Sequence, residues 1–460
     1  MESTARSKVY WLKWLVIIAT PLLLQLIPLT ETFTSEMRMF LSITVFGILM
    51  FIFDLVDNIV SSACLMFGYA LFQVAPLDVV LSSWTTNVPW IVFFSLVLVN
   101  IIQRTTLMKR MAYWCIVKTG GSYAGIIYGL TTLGIVTNLL VPSTLAGVAL
   151  IGIAFGICQA LELGTSKASA GIMIATMMGF LEAGNFIYTP NGIGVLFGLA
   201  SEITPLPLGY FDLFVQNIIF IPLCYVLAFM TIKLMKPEKD INGKAYFQSE
   251  LDSMDKVTKD EKKIIVILLC LIIFLFTTSL HGLDMLYGFI VAAFIVYFPG
   301  FRIGTKEDVT NVNFGTLMFV TACMSIGSVA SAIGIGPVFS DMVLPFLENA
   351  NEFVFIGLTW VITMLGNFLM TPGAEFAVFG PPMTQISMDL GINPYPVLYT
   401  LYEATNNLLF PYESTLWIIT FGFGNILMKD FVKVMGSKMI VCLIYYLALG
   451  VPYWMLTGVL

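Results

Sequence analysis

The chain has 460 residues, of which 58% are hydrophobic and 11% charged, with mean hydropathy +0.92. Soluble domains carry roughly 25% charged residues, so this composition excludes a soluble globular protein and predicts an all-α polytopic membrane protein. The net charge of −6 says little about partners when so few residues are charged, and no nucleic acid is expected.

Apolar runs at or near the ~18 residues that span a bilayer follow one another along the chain. Leu12 to Leu29 comes after Arg6 and Lys8 but lacks a small-residue cleavage site, so it reads as a retained span within residues 1–35 rather than a signal peptide. Met37 to Phe53, Ile59 to Val74 and Val88 to Ile102 come next, then a basic amphipathic segment, Thr105 to Thr119. Ser122 to Val141 ends in a break, Val141-Pro142-Ser143-Thr144, and Leu145 to Leu161 returns. Ala170 to Ile187 ends in a second break, Tyr188-Thr189-Pro190-Asn191, and Phe211 to Leu234 completes a first half over residues 36–235. Residues 236–263, Lys236 to Lys263, are the one long polar segment and read as a cytoplasmic loop.

The second half, residues 264–460, repeats that order. Ile264 to Leu280, Met285 to Phe298 and Phe314 to Ile333 precede an acidic amphipathic segment, Ile335 to Glu352. Phe353 to Met370 ends in Met370-Thr371-Pro372-Gly373, and Phe376 to Met388 returns. Val397 to Phe410 ends at Pro411-Tyr412-Glu413-Ser414-Thr415, followed by Leu416 to Leu427 and Met439 to Leu456. Thr371 lies 228 positions after Ser143, and Ser414 lies 225 after Thr189. Backbone at membrane depth tolerates a break only inside protein or beside a cavity, and matching breaks in two halves point to a substrate site of a transporter.

The opposite charge of the two amphipathic segments places them on opposite faces, the pattern of an inverted repeat, and both are expected to lie in the interface plane. Assigning the Lys and Arg residues to the cytoplasm leaves only Arg38 of the 22 outside. The positive-inside rule then predicts the N-terminus in, the C-terminus out and about eleven transmembrane helices, plus two re-entrant hairpins. Lys429, Lys433 and Lys438 belong to that cytoplasmic set, ahead of the last span.

Other chemistries find little support. The seven cysteines stand singly in mostly apolar runs and the lone histidine, His281, sits at a span end, which disfavours zinc and haem sites. No phosphate-binding Gly-x-x-x-x-Gly-Lys-Ser/Thr loop occurs. An intramembrane enzyme would need a catalytic dyad or a metal cluster, so the protein is not expected to be an enzyme. A passive channel would not explain the paired breaks as directly.

The stretch Phe46 to Gly121, with Asp54, Ser82-Ser83-Trp84, Phe93-Phe94 and Lys118-Thr119-Gly120-Gly121, resembles the first repeat of the divalent anion:sodium symporter family. In that family each hairpin tip carries Ser-Asn-Thr, and each later break a Thr/Ser-Pro-Pro-Asn type sequence. Here the tips read Ser143-Thr144-Leu145-Ala146 and Thr371-Pro372-Gly373-Ala374, with Pro381 ten residues on, and the breaks keep Thr189-Pro190-Asn191, Pro411 and Ser414-Thr415. The resemblance implies a dimeric secondary transporter, with elevator-like alternating access, for dicarboxylates, tricarboxylates or sulfate together with sodium ions. It names Ser143, Thr144, Thr189, Asn191, Thr371, Ser414 and Thr415 as candidate substrate ligands.

Half-helix N-termini suit an anion, while freed carbonyls and the side chains of Asn138, Asn185 or Asn367 offer oxygen ligands to a sodium ion. No organic cofactor is implied. Glu182, Glu375 and Glu413 lie beside the breaks, and ionisable residues at that depth are functional hypotheses by default. They keep proton coupling, exchange, or a cation/proton antiporter open as alternatives. An integral, multi-pass protein of the bacterial cytoplasmic membrane is the expected setting.

Overall fold

In the computed structural model the described residues are 8–30, 33–53, 55–335, 351–368 and 372–460, and they form helices joined by short connections, with one isolated bridge between Ser122 and Asn242. Large apolar side chains cover the outside: Leu15, Leu22 and Leu23 on the first helix, Leu280 on the short helix Thr278–His281, and Ile440 and Ile444 on the last long one are all exposed. Buried positions, in contrast, include Glu182, Glu375, Glu403 and Lys438. An apolar exterior around polar groups suits a lipid surround, and the protein is an integral multi-pass membrane protein.

Among the described residues, four helical runs are long and apolar enough to cross alone: Tyr123–Leu140, Tyr210–Leu234, Lys306–Ile333 and Met428–Thr457. The pair Asn87–Gln103 and Leu107–Lys118, bent by 72°, makes a fifth. Other apolar helices are shorter, as division of spans at breaks requires. The bend turns the basic amphipathic segment sharply away from its preceding helix. Most of its acidic counterpart, residues 336–350, lies outside the described residues.

Both halves contain a hairpin followed by a broken helix. In the first, Tyr123–Leu140 and Thr144–Ala160 are the hairpin arms, and Lys167–Glu182 leads through residues 183–192 into Ile193–Ala200. In the second, the arms are Glu352–Gly366 and Pro372–Asp389, and Pro394–Thr405 leads through residues 406–414 into Thr415–Gly422. Proline makes the first tip: Pro142 has no N–H and pushes the preceding residue out of the helical region. Val141 accordingly adopts φ −147° and ψ 73°. Ser143 then starts the return arm by accepting a hydrogen bond from the Ala146 N–H at 3.2 Å.

The halves interleave. A β-carbon on Gly147, in the first return arm, would lie 3.1 Å from Leu416 in the second half-helix; one on Gly380, in the second return arm, would lie 3.0 Å from Leu196 in the first. Each hairpin therefore packs against the other half's broken helix.

The polar segment is more ordered than a loop. Lys244–Ser253 is a helix whose buried Phe247 meets Tyr113 at 5.3 Å, and Arg110 donates to the Asp255 carbonyl at 2.5 Å. Glu261 accepts from the Thr106 N–H (3.0 Å) and hydroxyl (2.7 Å) while closing a capping box with Thr258. The segment docks on the basic amphipathic helix because it supplies an aromatic side chain and acceptors to it.

Candidate functional site

Asn138 ends the first hairpin's outgoing arm. It is buried, its Nδ2 donates to the Phe180 carbonyl on the crossing helix at 2.8 Å, and its Oδ1 has no hydrogen-bond partner among the described residues. Asn367 does the same in the second half: Nδ2 donates to the carbonyls of Ala404 (2.9 Å) and Asn407 (3.2 Å), and Oδ1 has no partner among the described residues. Each amide thus pins a hairpin to the broken helix beside it and leaves one buried oxygen unused. Ser143 is buried at the first tip, whereas Thr144 is exposed. Thr371 lies outside the described residues.

In the first half's broken helix, Thr189 is buried and its hydroxyl accepts from the Ile193 N–H at 3.1 Å, which starts the half-helix. Asn191 is half-buried. In the second break, Ser414 is half-buried and Thr415 exposed. Glu413 is buried, and its two oxygens accept the N–H groups of Leu409 (3.1 Å) and Phe410 (2.9 Å), so it holds the turn.

Glu375 is different. It is fully buried, and neither carboxylate oxygen has a hydrogen-bond partner among the described residues. A β-carbon on Gly366 would come within 2.6 Å of its Oε1. The absent side chain at Gly366, one residue before Asn367, therefore makes room for the carboxylate.

A further cluster joins the broken helices. Glu182 Oε1 lies 2.8 Å from Lys438 Nζ, an ion pair whose alignment falls short of a good hydrogen bond. Asn185 Nδ2 donates to Glu403 Oε2 (2.5 Å) and Glu182 Oε2 (3.3 Å), and Asn407 Nδ2 donates to Glu403 Oε1 (2.9 Å). Lys438 also donates to the Asn406 carbonyl at 2.7 Å. This corrects the sequence reading of Lys438 as a cytoplasmic flank: it is 1% exposed and faces acids inside the protein.

Sequence reasoning singled out Glu182 and Asn185 but missed Glu403, Asn407, Lys438 and Tyr402. A signal for Glu403 existed, since it is the only acid within the apolar run Val397 to Phe410. Tyr402 gave none: it looked like one aromatic among many, yet a β-carbon on either Gly184 or Gly192 would collide with its ring or hydroxyl.

Hairpins facing broken helices, with polar groups sequestered between them, define a multi-pass membrane transport protein. Residues 8–460 match the family described as the sodium:sulfate symporter transmembrane region, and the chain belongs to that family. The fold resembles that of the YdaH transporter of Alcanivorax borkumensis, with TM-score 0.57 and 14% identity over 85% of this chain and 90% of that one; its structure is described as having an unusual topology. It also resembles MtrF of Neisseria gonorrhoeae, with TM-score 0.57 and 15% identity over 83% of each chain, described as illuminating a class of antimetabolite efflux pumps. At these identities the likeness concerns the fold alone. No curated protein matches the chain.

Proposed function

We propose that the protein is a secondary active transporter of a small anion, either an organic dianion of the di- or tricarboxylate kind or sulfate, driven by sodium ions and working by elevator-type alternating access. The observation that carries this reading is the pair Asn138 and Asn367, each fixed through Nδ2 and each with a buried Oδ1 that has no partner among the described residues. A buried acceptor without a donor is costly, and a bound cation removes that cost. Ser143 and Thr144 at the first half-helix start, together with Thr371, are the anion ligands in this reading, with Thr189, Asn191, Ser414 and Thr415 at the breaks. Glu375 favours a second reading, proton coupling, because its buried carboxylate has no donor among the described residues.

The proposal includes a homodimer in a bacterial cytoplasmic membrane with its N-terminus inside. Purified protein in liposomes tests the function. Labelled succinate, malate, citrate or sulfate should accumulate under an inward sodium gradient. Accumulation under a pH gradient alone selects the second reading. Sodium/proton exchange with no anion movement would overturn both.

A further inference from the structure

We infer that a cavity at the bend between Asn87–Gln103 and Leu107–Lys118 binds the phosphate of an anionic lipid headgroup, and that this lipid clamps the central polar segment onto the amphipathic helix. The cavity holds about 600 Å³, within the roughly 300–1,000 Å³ typical of ligand sites. Three separate parts of the chain wall it: the bend itself, residues 250–264 and the turn at Arg302 and Ile303. Its basic side chains, Arg104, Lys109, Arg110, Lys256 and Arg302, outnumber its four acids. Two of those acids are already engaged. Glu261 accepts from Thr106 and Thr258, and Asp260 lies 3.5 Å from Lys263. Arg104 pairs with Asp308 at 2.7 Å, but among the described residues Lys109, Lys256 and Arg302 have no acid within ion-pair distance. Arg110 donates to the Asp255 carbonyl, yet its buried Nε has no hydrogen-bond partner among the described residues. Arg302 holds a left-handed backbone, φ 50°, which a residue with a side chain rarely adopts. Its turn is fixed by Lys263, which donates to the neighbouring Phe301 carbonyl at 2.8 Å.

Phosphate fits this inventory, because guanidinium groups meet its oxygens with paired N–H donors and ammonium groups add point charges. Depth selects a lipid as its source. Ile101, Ile264 and Ile303 line the cavity beside the charges, at the level where the apolar helix Asn87–Gln103 ends and Lys259–Phe276 begins. On the amphipathic helix Trp114 is exposed with Lys118 5.8 Å from its ring centre, and Phe298, four residues before Arg302, is exposed as well. Aromatic and basic side chains together mark the bilayer interface, and basic pockets between helices at that level suit anionic headgroups. The central segment already grips the far end of the amphipathic helix, where the Gly243 N–H donates to the Gly121 carbonyl at 2.8 Å, just before the hairpin arm Tyr123–Leu140. A phosphate shared by Arg110, Lys256 and Arg302 ties the near end. The helix that leads into the first hairpin is then held at both ends.

Native mass spectrometry of delipidated protein in detergent tests the site without any transport measurement, so its outcome is separate from that of the proposed function. Titrated phosphatidylglycerol should bind in a saturable step that phosphatidylcholine lacks. The double variant Lys256→Gln/Arg302→Gln should weaken that step about 30-fold, about fivefold for each charge. Lys429→Gln/Lys433→Gln, which removes the same charge from another exposed surface, should leave it unchanged. Equal weakening in the two double variants, or none in the first, overturns the site, as does a wild type that binds both lipids alike. Inorganic phosphate that binds as tightly as phosphatidylglycerol makes the occupant a soluble anion and overturns the headgroup. Lys256 and Arg302 are both exposed, and melting curves confirm that the variant folds. Hydrogen exchange in nanodiscs reads the clamp. Amides of Lys244–Ser253 should exchange about tenfold more slowly in phosphatidylglycerol than in phosphatidylcholine, and Lys256→Gln/Arg302→Gln should erase the difference. Equal exchange of the wild type in the two lipids overturns the clamp.

Discussion

The Tyr402 hydroxyl lies 3.2 Å from the Thr189 hydroxyl and so ties the broken helix of the second half to that of the first. Gly184 and Gly192 leave the space this ring occupies. Gly184→Ala should therefore destabilise the protein by about 1–3 kcal/mol through overpacking, read as a lower melting temperature in detergent. Tyr402→Phe should cost about 1 kcal/mol for one hydrogen bond and should partly relieve the alanine, because neighbouring changes are not additive. Strict additivity would show that the contact is not made.

Lys438→Met removes the cation from a buried pair, and breaking such a pair costs about 3–5 kcal/mol. Adding Glu182→Gln to that variant should recover part of the loss, since the uncompensated carboxylate disappears with it. Melting curves of the single and double variants measure this. A double variant no more stable than Lys438→Met would dissolve the pairing.

Asn138→Ala and Asn367→Ala each delete one oxygen acceptor and one clamp. In liposomes, the sodium concentration giving half-maximal uptake should rise about tenfold for each, equivalent to about 1.4 kcal/mol. Ser143→Ala should instead weaken anion affinity, with a stability loss of about 1 kcal/mol for the lost cap. Unaltered sodium dependence in both asparagine variants would return them to helix clamps.

Burial pushes the Glu261 carboxyl up, but hydrogen bonds from Thr258 and Thr106 outweigh it and hold the group below its ordinary 4.5. A depressed folded value means that the stabilisation is complete above the unfolded value and disappears as pH falls through the folded one. Glu261→Gln should thus melt lower than wild type at neutral pH, with the gap closing as pH drops below 4.5. A gap independent of pH would show that the carboxylate charge is not responsible.

The hairpins and breaks were legible because proline and hydroxyl residues interrupt apolar runs, a local signal that Pro142 and Ser143 convert directly into backbone geometry. Asn138, Asn185 and Asn367 were legible for a similar reason: amides are conspicuous in apolar helices. Pairing was not legible. Lys429 and Lys433 are exposed, and Lys438 looked like a third member of their set. Five positions beyond Lys433 is about 140° round a helix, enough to turn it inward, but only the partner Glu182, 256 positions away, makes that turn meaningful. Glu413 shows the reverse case. Its depth suggested a cation site, yet its oxygens hold the N–H groups of Leu409 and Phe410.

Gly147 against Leu416 and Gly380 against Leu196 are reciprocal contacts. A half-chain on its own would leave both a hairpin flank and a half-helix flank uncovered, so each half depends on the other to bury these surfaces.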